Sequence, residues 1–219
     1  MKYKNILWDW NGTILNDTPV AFEANNILLE RYGYPTITLG YYRDNIDTPI
    51  VNFYSKIFDL NKHDLEILDN EWGVLYNQLS DKIGLHEGVR ELLRFFADEN
   101  CCQVILSAFK TEVITKYAHK FSLEKFFEDI LGTQNIVTES KTIRGKRYMK
   151  EHGFAPEQTL YIGDTVHDYD TALALGVDCV LFSGGQQSPK LLQKCGVPVF
   201  DSFAEIKNWI IIETAENFV

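Results

Sequence analysis

Three polar residues stand where apolar runs end, and a fourth opens a helix. Asp9 closes Ile6-Leu7-Trp8, Ser107 closes Val104-Ile105-Leu106, Asp164 follows Tyr161-Ile162-Gly163, and Lys141 opens a helical pattern ahead of the Asp164 run. Aspartate is rarely buried unless it is paired, hydrogen-bonded or metal-bound. Such a run therefore reads as a buried strand that presents a carboxylate at its C-terminal edge. Taken alone, Asp9 could equally serve its own Gly12-Thr13 turn, the ordinary habit of Asp in turns. The other three residues shift that balance. In a parallel sheet the strand ends share one edge, and open α/β sheets take their ligands there. Two carboxylates, a hydroxyl and an ammonium at that edge suit a divalent cation and a phosphoryl group. Magnesium takes one or two carboxylates and leaves positions for substrate oxygens.

The elements that must position these residues follow from periodicity. Strands are expected at Asn5 to Trp10, Gln103 to Ser107, Asp129 to Gly132, Thr159 to Ile162, Asp178 to Phe182 and Val197 to Phe200. Helical faces alternate with them: Val89, Leu92, Leu93 and Phe96; then Val113, Ile114, Tyr117, Ala118 and Phe121; then Thr142 to His152, stopped by Gly153; then Tyr169 to Leu175, closed by Gly176. A further helix starts at Ser188-Pro189 and a last one at Ser202. Short, nearly continuous apolar strands alternating with helices predict an α/β fold, a Rossmann-like parallel sheet with helices on both faces. Between residues 16 and 84 no strand pattern is present. Thr18 is the expected N-cap of a helix with Pro19 in its first turn and Gly33 past its end. Short helices broken at Pro49 follow. A longer amphipathic helix from Asn61 carries Leu65, Leu68, Trp72, Leu75, Tyr76 and Leu79. The expected organisation is an α/β core domain of residues 1–15 and 85–219 with an inserted all-helical domain of residues 16–84.

Composition bounds the function. The 219-residue chain carries a net charge of -10 and a pI near 5.0, which opposes the phosphates of nucleic acid and of anionic membranes. No apolar stretch reaches the length of a membrane span, and Met1-Lys2-Tyr3-Lys4 leads directly into the first strand without a secretory pattern. Cys101, Cys102, Cys179 and Cys195 have neither CxxC nor Cys/His ligand spacing, so a reduced, cytoplasmic protein is expected.

With order and spacing in view, the chain resembles the haloacid dehalogenase-like hydrolase superfamily, in its phosphoglycolate phosphatase-like branch. The family's D-x-D-G-T is matched by Asp9-Trp10-Asn11-Gly12-Thr13, its strand-ending Ser/Thr by Ser107 before Ala108, its lysine by Lys141 in Glu139-Ser140-Lys141, and its G-D-x-x-x-D by Gly163-Asp164-Thr165-Val166-His167-Asp168. Lys141 stands 23 positions before Asp164, as in that branch, which favours it over Lys146 and Arg147. Leu85-His86-Glu87-Gly88-Val89 is similar to the family's L-x-P-G-V, with Glu87 in place of Pro. The resemblance implies a magnesium-dependent phosphatase acting on a small phosphorylated metabolite, as a monomer or homodimer. Asp9 would be the nucleophile that forms an aspartyl-phosphate. Mg2+ would be held by Asp9, the backbone carbonyl of Asn11 and Asp164, with Asp168 acting through water or holding the other ligands in place. Ser107, Lys141 and backbone groups around Trp10 and Ala108 would bind the phosphoryl oxygens. The helical insert would be a cap that sets substrate choice and excludes water.

One departure bears directly on activity. At position 11 the phosphatases of the family carry a second aspartate that protonates the leaving alkoxide and then deprotonates water. Asn11 does neither, and loss of such help costs a factor of roughly 10²–10⁴. Four readings stay open: another proton carrier, with His167 a candidate; selectivity for leaving groups that need little protonation; another reaction of the superfamily, on phosphonates or haloacids; or phospho-ligand binding without turnover. Restoring aspartate at position 11 is expected to raise turnover. Within the insert, Arg43 and Lys56 are candidates to reach a substrate anion, against the commoner fate of a solvated face. Trp72 and Tyr76 are expected as packing residues of the insert.

Overall fold

The computed structural model describes residues 1–133 and 140–216. Strand β1 (Asn5–Trp8) leads to a short β2 (Leu15–Asn16), then to helices α1 (Thr18–Arg31), α2 (Leu39–Asn45), α3 (Val51–Ile57) and α4 (Leu65–Gln78), and back through β3 (Gly84–Leu85). The chain continues as α5 (Val89–Asp98), β4 (Cys102–Lys110), α6 (Thr111–Lys120), β5 (Asp129–Thr133), α7 (Lys141–His152), β6 (Thr159–Gly163), α8 (Val166–Leu175), β7 (Asp178–Phe182), α9 (Pro189–Leu192), β8 (Val199–Phe200) and α10 (Phe203–Glu216).

Among the described residues, six strands form one sheet in the order β5-β4-β1-β6-β7-β8, every pair parallel. The central strands are apolar because both faces are covered: Ile6 and Trp8 of β1 point into the same cluster as α5, α6 and α10, while Leu7 points into that of α7 and α8. The chain leaves β1 for β4 on one side and later returns to β6 on the other. The end of β1 is therefore a topological switch point, where such sheets bind ligands.

Several boundaries differ from expectation for identifiable reasons. Strand β4 runs three residues past Ser107, with a register shift against β5 between Leu106 and Lys110, an irregularity of the kind that re-aims side chains. Helix α8 starts at Val166 rather than near Tyr169, because Thr165 and Asp168 close a capping box ahead of it. The long helix of the insert starts at Leu65, where the Asp64 side chain accepts from Glu66 and Ile67. Strands do occur at the edges of the insert, since β2 and β3 pair antiparallel, Leu15 with Leu85 and Asn16 with Gly84. Two residues each are too few to leave a periodic signature. The N-cap of α1 is Asp17, not Thr18, and its side chain makes no cap bond, being drawn into other contacts.

The return from the insert is held by His86. Its N–H donates to the Ile14 carbonyl at 3.2 Å, and its ring packs 4.8 Å from Phe182. Burial pushes its pKa down to about 4, against a weaker opposing bond to the Gly12 backbone. The unfolded chain thus binds a proton near the ordinary 6.5 that the folded protein refuses. This contribution to stability is full above that value and is lost as pH falls toward 4, by up to ~3 kcal/mol. His86→Phe, which keeps an aromatic face toward Phe182, should flatten that part of the pH dependence. Denaturant unfolding of both proteins at about pH 7 and pH 5 checks it: the stability gap should move in favour of the variant at the lower pH.

Candidate active site

The C-terminal edge of the sheet gathers the polar residues singled out in the sequence. Asp9 follows β1, Ser107 lies within β4, Asp164 follows β6, Lys141 opens α7 and Asp168 occupies the third position of α8; all are buried. Asp9, Asp164 and Asp168 each offer a carboxylate oxygen, and these oxygens lie within 4.8 Å of one another. The Lys141 ammonium donates to Asp9 Oδ1 at 2.6 Å and to Asp168 Oδ1 at 2.5 Å. Lys146 and Arg147, one to two turns further along α7, are exposed.

Each carboxylate has a different environment, and its proton affinity follows. Burial raises the Asp9 carboxyl above its usual range and Asp168 adds to this; Lys141 opposes both. Asp164 is pushed well up by burial and by Asp9 and Asp168. It accepts from Thr13 Oγ1 at 2.8 Å and from the Gln186 backbone at 2.6 Å, and no described cationic side chain pairs with it. Asp168 goes the other way. Burial opposes its ionisation, but Lys141 and the hydrogen bonds it accepts hold its carboxyl below the usual range. Its Oδ2 accepts from the N–H groups of Asp164 and Thr165 and from Thr165 Oγ1, at 3.1, 3.0 and 2.7 Å. The third residue of α8, which closes the capping box with Thr165, is thus also the anchor of Lys141. Burial also opposes the charge on Lys141, yet Asp168 and Asp9 outweigh it and hold the ammonium's pKa up to about 12.

The three carboxylates and one ammonium carry a formal excess of two negative charges in a dry setting. Unpaired buried charge is costly. A hard divalent cation between Asp9 and Asp164 matches both the donor type and the deficit. Backbone glycines make room for this. Gly12, in the left-handed region at φ +78°, lies so close to Asp164 that a Cβ there would fall 2.2 Å from its Oδ2; the same holds at Gly185.

The other residues singled out in the sequence are distributed around this cluster. The Trp10 side chain is fully buried in the core, so only its backbone faces Asp9. Ala108 does line the cavity above the site. Arg43 does not line the cavity; it donates to the backbone carbonyls of Ser183 and Gln187. Lys56 donates to the Asn45 carbonyl on the exposed surface. These carbonyls offer the cations an oxygen partner that charge alone does not reveal. Glu139 lies outside the described residues. His167 lines the cavity, and burial, reinforced by Lys141, lowers its pKa, so its imidazole is neutral at neutral pH.

The site also includes residues that carry no motif. Asp17 is buried and binds three groups: it accepts from Asn11 Nδ2 at 2.6 Å, from the Gly12 N–H at 2.7 Å and from the Tyr76 hydroxyl at 2.7 Å. Tyr76 is therefore more than packing in the insert, and Trp72 lines the cavity. Between β7 and α9, Gln186 binds Asp164 by its backbone and accepts from the Tyr42 hydroxyl at 2.6 Å, joining α2 to the site. Only the adjacent glycines Gly184-Gly185 hinted at this loop. Arg144 donates to the Ser107 carbonyl at 2.6 Å and fixes the irregular end of β4.

Comparison with known proteins agrees with this geometry. The family described as haloacid dehalogenase-like hydrolase matches residues 6–182. A phosphoglycolate phosphatase of Pseudomonas syringae pv. tomato is 23% identical over 190 residues, covering 83% of this chain and 70% of that protein. One from Aliivibrio fischeri is 21% identical over 216 residues, covering 93% and 91%. Among solved structures, a haloacid dehalogenase-like hydrolase from Streptococcus pneumoniae superposes with a TM-score of 0.83 at 17% identity, covering 95% of this chain and 99% of that one. A protein from Clostridium acetobutylicum described as a predicted phosphatase gives 0.79 at 18% identity, covering 96% and 99%.

Proposed function

Because the chain belongs to the haloacid dehalogenase-like hydrolase family, we propose that it is a magnesium-dependent phosphatase of small phosphate monoesters that works through Asp9. The observation that carries this reading is the set of three buried carboxylates held against a single ammonium at the sheet's switch point. Asp9, Asp164 and the backbone carbonyl of Asn11 would hold the ion. The chemistry such an ion supplies is neutralisation of charge on the phosphoryl oxygens.

This chain's own residues do the rest. One oxygen of Asp9 attacks phosphorus; an Asp9–phosphorus bond forms as the bond to the ester oxygen breaks, and the ester oxygen leaves with the electron pair as alkoxide or aryloxide and takes its proton from solvent water. Water then attacks phosphorus as the Asp9–phosphorus bond breaks, its proton passing to His167 or to solvent, and Asp9 returns as carboxylate with inorganic phosphate released. Lys141, fixed by Asp168, holds Asp9 aligned and offers its remaining proton to a phosphoryl oxygen, while Ser107 presents its hydroxyl to another. Asn11 has no proton to give to the alkoxide. His167 is neutral, so it suits the role of base toward water better than that of acid toward the alcohol. The reading that follows is selectivity for leaving groups of low basicity, such as aryl or acyl phosphates. That selectivity separates it from a binding protein without turnover.

The test is phosphate release from an aryl phosphate with Mg2+ present and with excess chelator. Turnover is expected only with the ion and should return when Mg2+ is restored. Release that is indifferent to chelation would overturn the proposal.

A further inference from the structure

Above the site lies a cavity of about 610 Å³ between the helical insert and the sheet edge. At its sheet end it reaches Asp9, Ser107 and Lys141. At the other end it is walled by the insert, with Ile46, Ile50, Tyr54, Trp72, Asp69 and Asp47, whose carboxylate accepts from the Thr48 N–H and the Asn52 side chain. The sheet end receives the phosphoryl group, so the far end receives the alcohol. What is missing there decides what that alcohol is.

No arginine is among the residues that line the cavity, and the lysine among them is Lys141, whose ammonium already serves Asp9 and Asp168. Of the insert's cations near this wall in sequence, Arg43 donates from one guanidinium nitrogen to the carbonyls of Ser183 and Gln187 and Lys56 donates to the Asn45 carbonyl, and neither lines the cavity. Lys110, exposed at the end of β4, acts on Asp69 without lining the cavity. The residues beyond the described set, 134–139 and 217–219, contain neither lysine nor arginine. An anionic group at the far end would meet Asp47 and Asp69 with no cation lining the cavity to receive it, Lys110 acting on Asp69 from outside, and like charges placed together are disfavoured. The aromatic and aliphatic surfaces there favour an apolar or cationic body, since ring faces attract cations.

We propose, resting on the phosphatase reading above, that the substrate is a phosphate monoester whose alcohol bears no carboxylate or second phosphate and presents an apolar or cationic body to the Trp72–Asp69 wall. This sets it apart from phosphoglycolate, whose alcohol is itself a carboxylate.

Three aryl esters separate this selectivity from leaving-group chemistry: phenyl phosphate, 4-(aminomethyl)phenyl phosphate and 4-(carboxymethyl)phenyl phosphate. With Mg2+ present, kcat/KM for the first two should exceed that for the carboxylate ester by about tenfold or more. In Asp69→Lys, an exposed position of α4, the gap between the ammonium and carboxylate esters should close or reverse. Carboxylate and neutral esters hydrolysed equally well would overturn the proposal and leave the phosphatase reading standing. A ratio that does not move in Asp69→Lys would overturn the role given to this wall. Failure to release phosphate from any of the three would overturn both.

Discussion

Asp9→Asn should lower phosphate release from an aryl phosphate by a factor on the order of 10⁴ or more, while the metal-free protein becomes more stable rather than less. The first half follows from the loss of a nucleophile that no neighbour replaces. Asp164 is engaged on both oxygens, by Thr13 and Gln186, and Asp168 by Lys141, Tyr161, Asp164 and Thr165. The second half follows from electrostatics. Burial and Asp168 raise the Asp9 carboxyl in the folded protein, so folding resists its ionisation. A group raised in this way favours the folded state at low pH, and that advantage is lost as pH rises from its unfolded value of 3.8 through its higher folded one. The amide removes both the burden and its pH dependence, and Lys141 keeps Asp168 as a partner. Thermal melts without metal at about pH 5 and pH 7.5 should show the variant gaining on the wild type at the higher pH. Activity lost together with stability would instead mean that Asp9 holds the fold, not the chemistry. A site that carries unfavourable charge for the sake of a reaction gives the opposite pairing, stability gained as activity is lost.

Much of this arrangement was legible in the chain, and the reason is locality. A buried parallel strand must be a short apolar run, so Asp178 to Phe182 was readable as it stands, and the residue that ends such a run must lie at the sheet edge. Asp9 and Asp164 belong to that class. Lys141 needed spacing to be chosen over Lys146 and Arg147, and burial distinguishes them in the fold. The residues that were not legible depend on partners far away in sequence. Asp17 reads as the start of a helix, yet its carboxylate meets Tyr76 from another helix 59 positions on. Gln186 has no motif, yet its backbone holds Asp164 and its side chain holds Tyr42, 144 positions back. For Arg43 the sequence offered an anion contact or, more commonly, a solvated face, because its charge was visible and the Ser183 and Gln187 carbonyls that take it were not. Periodicity reports which face is buried; it does not report which polar atoms meet there.

Asn11 and Asp17 show what this non-local pairing does to function. From the sequence, Asn11→Asp is expected to restore a missing proton carrier. In the fold that single change sets a new carboxylate at the end of the 2.6 Å contact with Asp17, which is buried, position 11 itself being partly so. Like charges so placed cannot both ionise, and the charge-assisted bond that orders the loop is lost; the variant should be less stable by ~2 kcal/mol and gain no turnover. Asn11→Asp with Asp17→Asn should behave differently. The amide at position 17 donates to the carboxylate at position 11, so the bond survives with its roles exchanged. Its second N–H can donate to the Tyr76 hydroxyl, and its oxygen still accepts from Gly12, so the wild-type contacts of Asp17 are replaced. The double variant then has a carboxyl beside the site with freedom to carry a proton, and release from alkyl phosphates should rise by roughly 10²–10⁴. Aryl phosphates, whose leaving oxygen needs little protonation, should rise far less. The measurement is kcat/KM on both ester classes for wild type, each single variant and the double. A gain in the double beyond the sum of the singles, confined to alkyl esters, means that positions 11 and 17 act as one unit and that the amide at 11 limits proton delivery. An equal gain on both ester classes would mean that the pair governs substrate placement and not the proton. A gain from Asn11→Asp alone would mean that Asp17 yields, and that the hydrogen bond between them does not constrain the site.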